Sequence, residues 1–463
     1  MRDTLQLIIV TLLAGLGVAS LLVLAAAALH MLWGLWRQRR ALALVLGLLL
    51  LVFALTPAGA GLLSFACALV VGVQSLCYCW FALRALAGVG RARTQWQGSL
   101  PSVTVIVPAN DEELVIEATL RSLDQLDYPS ELLEIIVIDD GSSDGTRSRA
   151  EPVTLAMQHR ARVVHFEQRA GKARRVNDLV RTLGSELVLL LDADHWVERD
   201  LVRKMIDVVG PDPDVACVQV ASQVRNGGSN WLTRALELEY LFRCRGIYPG
   251  KPFGVFVGSG GLFRRSALLE VGGFDPTMLT EDVELSYRLY RQGRRVVYAD
   301  STCSHDLAPA DFRNFFNQRQ RWMRGLFQAL LAHARAGRRH PLFRQALPYL
   351  VQFTLDGFGA LCLCVLEAYF ALGAFGLLPF QFTPAIYAMM LSSTFAFAAG
   401  FARAHQLDRL RFMGLVPLYM IVHSIPMSWA LIDSYVLDKP MVWVKTERGA
   451  RAPSGVGLSG GRA

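Results

Sequence analysis

An uncharged stretch from Ala41 to Leu83 constrains the fold of this 463-residue chain more than any other feature. At about 20 residues per crossing it is long enough for two membrane spans, and the segment Pro57–Gly61 supplies a tight turn between them. Another apolar run, Leu5–Leu29, precedes it and is too long for the core of a signal peptide. Residues 1–93 are therefore predicted to form an N-terminal transmembrane region with about three spans.

Basic residues beside these runs predict their orientation. Arginines cluster within Arg37–Arg40 and again within Arg84–Arg93. Because positive charge concentrates in cytoplasmic loops, we expect the N-terminus outside and the following domain in the cytoplasm. Apolar character returns over residues 341–437, which are predicted to add three or four membrane segments, and residues 438–463 form a tail expected inside. These patterns together predict a multi-pass protein of the plasma (inner) membrane.

The C-terminal apolar region divides into three stretches, Ala346–Leu366, Pro384–Ala402 and Phe412–Leu437. Pro417 and Pro426 predict that the last stretch is broken or re-entrant, which would return the tail to the inside. A polar stripe runs along one line of a helical wheel drawn from Gln345 onwards, and it is expected to line either a channel through the membrane region or contacts between helices. Its members are Gln345, Tyr349, Gln352, Asp356 and Glu367.

Bulk composition excludes several classes of protein. The chain is 53% hydrophobic with a mean hydropathy of +0.33, which is too apolar for a purely soluble protein. Its net charge is +8, but the basic residues lie beside apolar stretches and form no basic stripe, so we expect no nucleic acid partner. The eight cysteines show no C-x-x-C spacing and are expected to be buried free thiols.

Residues 101–304 are predicted to form a cytoplasmic α/β domain. Short runs rich in Val, Ile and Leu alternate there with polar, helix-compatible segments, which predicts a mostly parallel sheet covered by helices. Ligands of such sheets bind at the carboxyl ends of the strands, and acidic residues directly follow the second and fourth runs. The four runs are Val103–Val107, Ile135–Ile138, Val163–Phe166 and Leu187–Leu191.

Four residues of this domain are candidates for binding a metal or a nucleotide sugar. Asp192 and Asp194 follow the fourth run one residue apart, and carboxylate oxygens suit Mg²⁺ or Mn²⁺; Asp192 is also a candidate ribose contact. Asp140 is a candidate acceptor of a hydrogen bond from a nucleobase imide N–H, and Lys172 is a candidate phosphate contact. Each assignment has an alternative. Asp192 and Asp194 could lie in a solvated loop, Asp140 in a strand-to-helix turn, and Lys172 could be a surface lysine.

The segment Thr280–Asp282 carries the candidate catalytic residue. A sugar hydroxyl is a weak nucleophile, so a carboxylate that accepts its proton makes attack on an anomeric carbon feasible. Asp282 is the candidate general base, and Glu281 beside it is a candidate acceptor contact. The alternative is that both are helix N-terminal acids that interact with the helix dipole, because residues 281–293 are predicted to be helical.

A helical wheel of residues 311–331 separates two faces. Gln318, Arg321 and Trp322 share one face because they are spaced i, i+3 and i+4, while most of the apolar side chains and Arg319 lie on the other. Residues 305–340 are therefore predicted to hold an amphipathic interface helix on the bilayer surface. Gln318 and Arg321 would bind the pyrophosphate and Trp322 the acceptor sugar, unless the helix packs on the domain core and Trp322 only fills space.

Together these motifs resemble the membrane-embedded family-two glycosyltransferases, the group that contains cellulose, hyaluronan, chitin and poly-N-acetylglucosamine synthases. The resemblance covers residues 102–325 and rests on motifs that occur in a fixed order. They are Val105–Glu113, Leu126–Pro129 followed by Asp139–Ser142, Asp192–His195, Thr280–Asp282 and Gln318–Trp322.

The resemblance implies a GT-A (Rossmann-like) fold, a UDP-sugar donor, a divalent metal (Mg²⁺ or Mn²⁺) and inversion at the anomeric carbon. It gives the donor-binding role to Asp140, Asp192 and Asp194, and the role of base to Asp282. It also matches Gly258–Gly261 to an acceptor-side loop. The segment after Leu437 is too short for the cyclic-di-GMP domain of bacterial cellulose synthases, which argues against cellulose or places control in a partner subunit.

Three functional hypotheses follow. The first is a processive synthase that adds sugars to a growing β-linked polysaccharide and exports it across the bilayer. The second is an enzyme that adds one sugar to a membrane lipid, as ceramide glucosyltransferases do. The third is a non-catalytic membrane protein that only binds a nucleotide sugar; substitution of Asp282 separates it from the two enzymes.

Overall fold

The computed structural model describes residues 56–88, 96–334, 340–377, 384–431 and 433–434. The predicted span Leu5–Leu29, the first half of the uncharged stretch and the tail from residue 438 lie outside the described residues. Within them, a sheet and its covering helices occupy the middle of the chain, and long helices precede and follow it. The prediction of an α/β domain between helical regions is therefore confirmed at the level of secondary structure.

One sheet of eight strands organises the domain. The four predicted runs all form strands. The first three extend two or three residues beyond the predicted run at one or both ends, and the fourth ends one residue before it. In chain order the strands are β1 Val103–Ala109, β2 Leu133–Asp140, β3 Arg160–Phe166, β4 Leu187–Leu190, β5 Trp196–Val197, β6 Val215–Val224, β7 Gly261–Arg264 and β8 Arg295–Asp306. Their order across the sheet is β3-β2-β1-β4-β7-β6-β8-β5.

The first half of the sheet is parallel, as predicted. β1 lies between β2 and β4, so that Val105 is paired with Ile135 on one side and Leu189 on the other. The other half differs from the prediction, because β7 runs antiparallel to both β4 and β6 and makes the sheet mixed. β7 is only four residues long and follows a glycine-rich loop instead of a helical crossover. Its sequence contains no long apolar run from which the strand could have been predicted.

Both faces of the parallel strands are buried, which explains their continuous apolar sequence. Ile106, Ile136 and Leu190 belong to one core, while Val105 and Val137 belong to the other. Helices cover these faces. In chain order the helices are α1 Pro57–Leu86, α2 Ile116–Leu123, α3 Thr146–Ala156, α4 Lys172–Thr182, α5 Leu201–Val209, α6 Trp231–Tyr240, α7 Arg265–Glu270, α8 Glu281–Arg291, α9 Phe312–Ala334, α10 Pro341–Ala374, α11 Pro384–Arg403 and α12 Leu415–Leu431.

Helix α1 begins where the sequence predicted a turn. Thr56 caps it by accepting a 3.1 Å bond from the Gly59 amide, and Pro57 occupies its first turn, where the missing N–H costs nothing. Residues 58–86 are the one segment within the described part of the chain that is long and apolar enough to cross a membrane, with a mean hydropathy of 2.0. Large side chains such as Phe65 and Trp80 are exposed on it.

The C-terminal helices agree with the predicted apolar stretches but not with the predicted break. Helix α12 continues through Pro426 without interruption, and Pro417 lies in its first turn, where proline is tolerated. The number of membrane crossings in this region stays a prediction. In the proposed polar stripe, the side chains of Asp356 and Glu367 lie outside the described residues.

The domain packs closely against these helices. Helix α6 continues as a π-helical segment, Leu241–Ile247, which crosses α11 where Gly246 faces Gly400. A Cβ on Gly246 would lie 2.5 Å from the Ala396 carbonyl oxygen, so the two backbones touch. Arg84 of α1 adds a 2.8 Å bond to the carbonyl of Gly250. Such contacts fix the sheet relative to the helical region and position the cavity described next.

Candidate active site

A cavity of about 750 Å³ opens at the carboxyl ends of the parallel strands, between the sheet and helix α9. The sequence predicted that far-separated side chains meet in one pocket, and the structure brings every predicted site residue to this cavity. They are Asp140, Lys172, Asp192, Asp194, Glu281, Asp282, Gln318, Arg321 and Trp322. Their individual roles stay predictions, whereas their convergence is a property of the fold.

The loop after β4 presents the candidate metal ligands. Asp192, Asp194 and His195 each offer a ligand atom, and these atoms lie within 4.8 Å of one another. Thr119 of helix α2 donates a 2.6 Å hydrogen bond to the Ala193 carbonyl oxygen and so holds the loop in place. The oxygens of the two carboxylates suit Mn²⁺ or Mg²⁺. His195 belongs to the motif on which the resemblance rests, but no ligand role was predicted for it, although its position directly after the second aspartate was the available signal.

Lys172 lies at the first position of helix α4 and contacts Asp192. Its Nζ is 2.6 Å from Asp192 Oδ1 and 2.7 Å from the Gly258 carbonyl oxygen. Burial lowers the pKa of Lys172, but the charges of Asp192, Glu281 and Asp282 outweigh this effect and raise it, so the side chain is an ammonium. The lysine predicted to meet a phosphate thus joins the aspartate loop to the glycine-rich loop before β7.

Asp140 is engaged with the loop that precedes helix α4. Its Oδ1 accepts bonds from the Ala170 amide at 2.9 Å and from Arg175 Nε at 2.7 Å, and its Oδ2 accepts one from the Gly171 amide at 2.7 Å. The sequence predicts that this carboxylate accepts a hydrogen bond from a nucleobase, and this role stays a prediction. In the structure it shapes the loop beside the cavity, and the guanidinium of Arg175 stacks 3.7 Å from the ring centre of Phe166.

Asp282 lies in the first turn of helix α8, which spans nearly the predicted range. Its Oδ1 accepts a 2.8 Å bond from the Val283 amide. Burial raises the pKa of Asp282 to about 7, and the neighbouring charge of Glu281 adds to the effect. A carboxyl group with such a pKa can accept a proton near neutral pH, which matches the requirement for a general base.

Gly258 makes room for the Asp282 carboxylate. Its φ of +92° is a conformation that L-residues rarely adopt, and a Cβ there would lie 3.0 Å from Asp282 Oδ2. The glycine-rich segment that the resemblance matched to an acceptor-side loop therefore borders the candidate base directly.

Helix α9 closes the cavity with its Gln318, Arg321 and Trp322 face. Part of its other face is buried inside the protein, since Phe315 and Phe327 are 0% and 5% exposed, whereas Phe312 and Leu331 of the same face are exposed. The position of this helix on a bilayer surface stays a prediction. Phe315 belongs to a cluster formed with residues of α6 and α12. Phe315, one of the apolar side chains that predicted membrane contact, thus packs within the protein, which the wheel of a single segment does not reveal.

Arg319, which the helical wheel placed on the apolar side, forms an ion pair with Glu239 that was not predicted from the sequence. Its guanidinium contacts both carboxylate oxygens of Glu239 on helix α6, and Tyr419 of α12 donates a 2.6 Å bond to the same carboxylate. A charge on the apolar side of an amphipathic helix was the available signal, since it requires a buried counter-charge.

The fold and this cavity define a GT-A class α/β domain with carboxylates at the strand ends. Residues 101–325 match the family model described as glycosyltransferase like family 2, and they form a glycosyltransferase family 2 domain. This match includes the part of α9 that lines the cavity.

Curated relatives share this domain. A poly-beta-1,6-N-acetyl-D-glucosamine synthase from Staphylococcus aureus (strain COL) is 31% identical over 237 residues, 50% of this chain and 56% of that protein. A probable glycosyltransferase, YdaM, from Bacillus subtilis (strain 168) is 28% identical over 232 residues, 49% of this chain and 55% of that protein. The chain thus spans about half the length of the curated relatives it matches.

Among solved structures, the mannosyltransferase PcManGT from Pyrobaculum calidifontis, in complex with GDP-Man and Mn²⁺, superposes with a TM-score of 0.54 at 22% identity. The superposition covers 79% of this chain and 98% of that one. At this identity the likeness establishes the fold.

Proposed function

We propose that this protein is an inverting membrane glycosyltransferase that moves a sugar from a UDP-sugar to the end hydroxyl of a growing β-linked polysaccharide. The family of its domain supports sugar transfer. The named activity of the Staphylococcus aureus relative, a poly-beta-1,6-N-acetyl-D-glucosamine synthase, supports a polysaccharide product. The choice of sugar and the coupling of synthesis to export are part of the proposal.

The donor lies along the strand ends in this proposal. Asp192 and Asp194, next to His195, would hold a divalent cation, Mn²⁺ or Mg²⁺, and the bound cation would neutralise the charge that develops on the leaving pyrophosphate. Arg321 and Gln318 bind the pyrophosphate from the side of α9, since a guanidinium can hold two phosphate oxygens at once. Lys172 keeps the Asp192 carboxylate oriented, in line with their 2.6 Å contact.

The acceptor hydroxyl lies at Asp282 in the reacting complex. The hydroxyl proton passes to the carboxylate while the hydroxyl oxygen forms a bond to the anomeric carbon. The bond from that carbon to the diphosphate oxygen breaks on the opposite face, so UDP leaves with the electron pair and the configuration inverts. General base catalysis of this kind contributes roughly 10²- to 10⁴-fold to the rate.

The remaining part of the cavity suits a sugar acceptor that extends towards the helical region. Trp322 offers an apolar face on which a sugar ring can stack, beside Glu281. Further along, the lining includes Tyr298 of the sheet, Phe353 of α10 and Met427 of α12. A cavity that continues from the sheet to the C-terminal helices supports an acceptor longer than one sugar.

A membrane location is part of this proposal. Helix α1 carries no charged residue before Arg84, and exposed apolar side chains cover it, including Leu62, Phe65 and Leu76. Such a surface suits lipid. In the proposed arrangement the protein crosses the plasma (inner) membrane several times, with the catalytic domain in the cytoplasm, and a partner subunit supplies regulation or export.

One observation carries the proposal: Asp192, Asp282 and Arg321, which are far apart in sequence, line one cavity. The test is to offer the purified full-length protein a panel of UDP-sugars and GDP-mannose with Mn²⁺ or Mg²⁺. Nucleotide release and product mass are measured together. Release of UDP with a ladder of product masses supports a processive synthase, and a single added sugar on a lipid supports the alternative acceptor. Donor binding without nucleotide release would overturn the enzymatic proposal.

A further inference from the structure

A second cluster of metal-ligating side chains lies beside the active-site cavity, at the edge of the sheet. Cys303 and His305 are two residues apart in strand β8, so their side chains project from the same face. Strand β5 runs antiparallel beside them, with Trp196 opposite His305 and Val197 opposite Ser304. Glu198 is the next residue along, and this register brings it opposite Cys303.

The three side chains converge closely. Cys303 Sγ lies 3.0 Å from Glu198 Oε1 and 3.3 Å from His305 Nε2. One ligand atom from each of the three lies within 4.8 Å of the others. None of the three lines the cavity that holds the donor-site residues. The cluster is therefore separate from the candidate cation site at Asp192.

A thiol, an imidazole and a carboxylate form a ligand set for zinc. Zn²⁺ binds all three groups and commonly takes three protein ligands with water in the fourth position, whereas Mg²⁺ prefers oxygen ligands alone. With the cysteine as a thiolate and the glutamate ionised, a filled site would be neutral. Two guanidinium groups lie near the cluster, Arg245, which hydrogen-bonds Cys303, and Arg225 beside His305. Because the filled site is neutral, they oppose this cation far less than they would oppose an unneutralised one.

The surroundings also fit a metal site. Thr302 Oγ1 donates a 2.9 Å bond to Glu198 Oε2, which fixes the carboxylate and turns Oε1 towards Cys303. Outer contacts of this kind orient metal ligands. Glu198 is half-buried and lines a surface groove together with Arg199 and Asp200. This groove gives an ion a path to the cluster, although Cys303 itself is buried.

We propose that Glu198, Cys303 and His305 bind one Zn²⁺ ion, with water in the fourth position, and that this ion fastens strand β5 to strand β8. Strand β5 has only two residues, which is too few for its own hydrogen bonds to hold it firmly. It directly follows the Asp192–His195 loop, so the zinc ion fixes the end of the segment that presents the donor-site carboxylates. The proposal does not depend on which sugar the protein transfers.

Cobalt provides a direct test on the full-length protein. After treatment with a chelator, Co²⁺ is titrated in the presence of excess Mg²⁺, and the near-ultraviolet absorption of thiolate-bound cobalt is recorded. We expect this band to saturate at one equivalent per chain and to disappear when Zn²⁺ is added. The Asp192–His195 site offers no sulfur and cannot produce the band. If the wild-type protein shows no thiolate–cobalt band, the proposal is overturned.

Variants identify the thiolate. Cys303→Ser is expected to abolish the band, whereas Cys79→Ser, which alters a half-buried cysteine of helix α1, is expected to retain it. Asp194→Asn should also retain it. A band that survives in Cys303→Ser would contradict the assignment.

A second readout covers the case in which Cys303→Ser does not fold. His305→Gln keeps the size of the side chain and is expected to lose the band as well, and Zn²⁺ should raise the melting temperature of the wild type but not of His305→Gln. An equal rise in both proteins would mean that the zinc lies elsewhere and that the thiol only donates a hydrogen bond to Glu198.

Discussion

Arg319 and Glu239 form a buried ion pair that ties the cavity helix α9 to helix α6. The guanidinium contacts both carboxylate oxygens, at 3.1 and 2.6 Å, and the two side chains are only 2% and 7% exposed. Burial alone would raise the pKa of Glu239, but Arg319 and Arg243 lower it to about 2. Because the guanidinium also lies 4.6 Å from the ring centre of Trp322, the pair fixes the face that closes the cavity.

Removing the cation of this pair should destabilise the protein strongly. Arg319→Met is expected to lower the free energy of unfolding by about 3–5 kcal/mol, because it leaves a carboxylate buried without its main partner. Arg319→Met combined with Glu239→Gln should be less destabilised than the sum of the single variants. Chemical denaturation of the detergent-solubilised protein measures all three. Additive losses would show that the two residues are not coupled.

The pH dependence of transfer should follow the ionisation of Asp282. The base acts only as a carboxylate, and the pKa of Asp282 is raised to about 7 by burial and by Glu281. Activity is therefore present above this pKa and is lost as the pH falls through it. We expect kcat/KM to fall about tenfold per pH unit below pH 7 and to level off above it. A flat profile from about pH 5 to pH 8 would contradict this assignment.

Gly258 and Gly272 offer a matched pair of substitutions. Both have positive φ angles, +92° and +83°, but only at Gly258 would a Cβ meet a neighbour, Asp282 Oδ2 at 3.0 Å, while Gly272 faces open space. Alanine at either position should cost about 1–2 kcal/mol of backbone strain. Only Gly258→Ala should also lower kcat, on the order of 10²-fold, because it displaces the base. Similar kcat values for the two variants would exclude this effect.

Thr119 should influence metal binding from outside the ligand shell. Its hydroxyl donates a 2.6 Å bond to the carbonyl of Ala193, between Asp192 and Asp194, the two candidate metal ligands. Thr119→Val keeps the shape and removes the bond, so the Mn²⁺ concentration for half-maximal activity should rise about 10- to 100-fold with little change at saturation. Thr154→Val, which removes a similar buried bond within α3, is the control. An unchanged Mn²⁺ requirement in Thr119→Val would contradict this role.

Much of the site was predictable because local patterns encode it. The strand β2 ends in Asp140 and β4 ends just before Asp192, and the carboxyl ends of parallel strands share one edge of a sheet. The helix that starts at Glu281 was recognisable from its acidic first turn. The spacing of Gln318 and Arg321 placed them on one face of α9, and the structure turns that face to the cavity.

The remaining features depend on contacts between distant segments. The sequence of β7 is short and gives no periodicity, so its antiparallel course was not predicted. Arg319 on the apolar side of α9 indicated a buried partner, but nothing local identified Glu239, which lies 80 residues away. The burial of Phe315 against Tyr419 likewise depends on a helix about a hundred residues further on, so the sequence of α9 alone could not predict it.

The substitution Asp282→Asn tests the central claim most directly. It keeps the size of the side chain and removes the group that accepts the proton, while Asp178→Asn alters an exposed aspartate of helix α4 away from the cavity. With donor and Mn²⁺ at saturation, we expect Asp282→Asn to bind the nucleotide sugar but to transfer it roughly 10²- to 10⁴-fold more slowly, and Asp178→Asn to match the wild type. Transfer by Asp282→Asn at the wild-type rate would contradict the account.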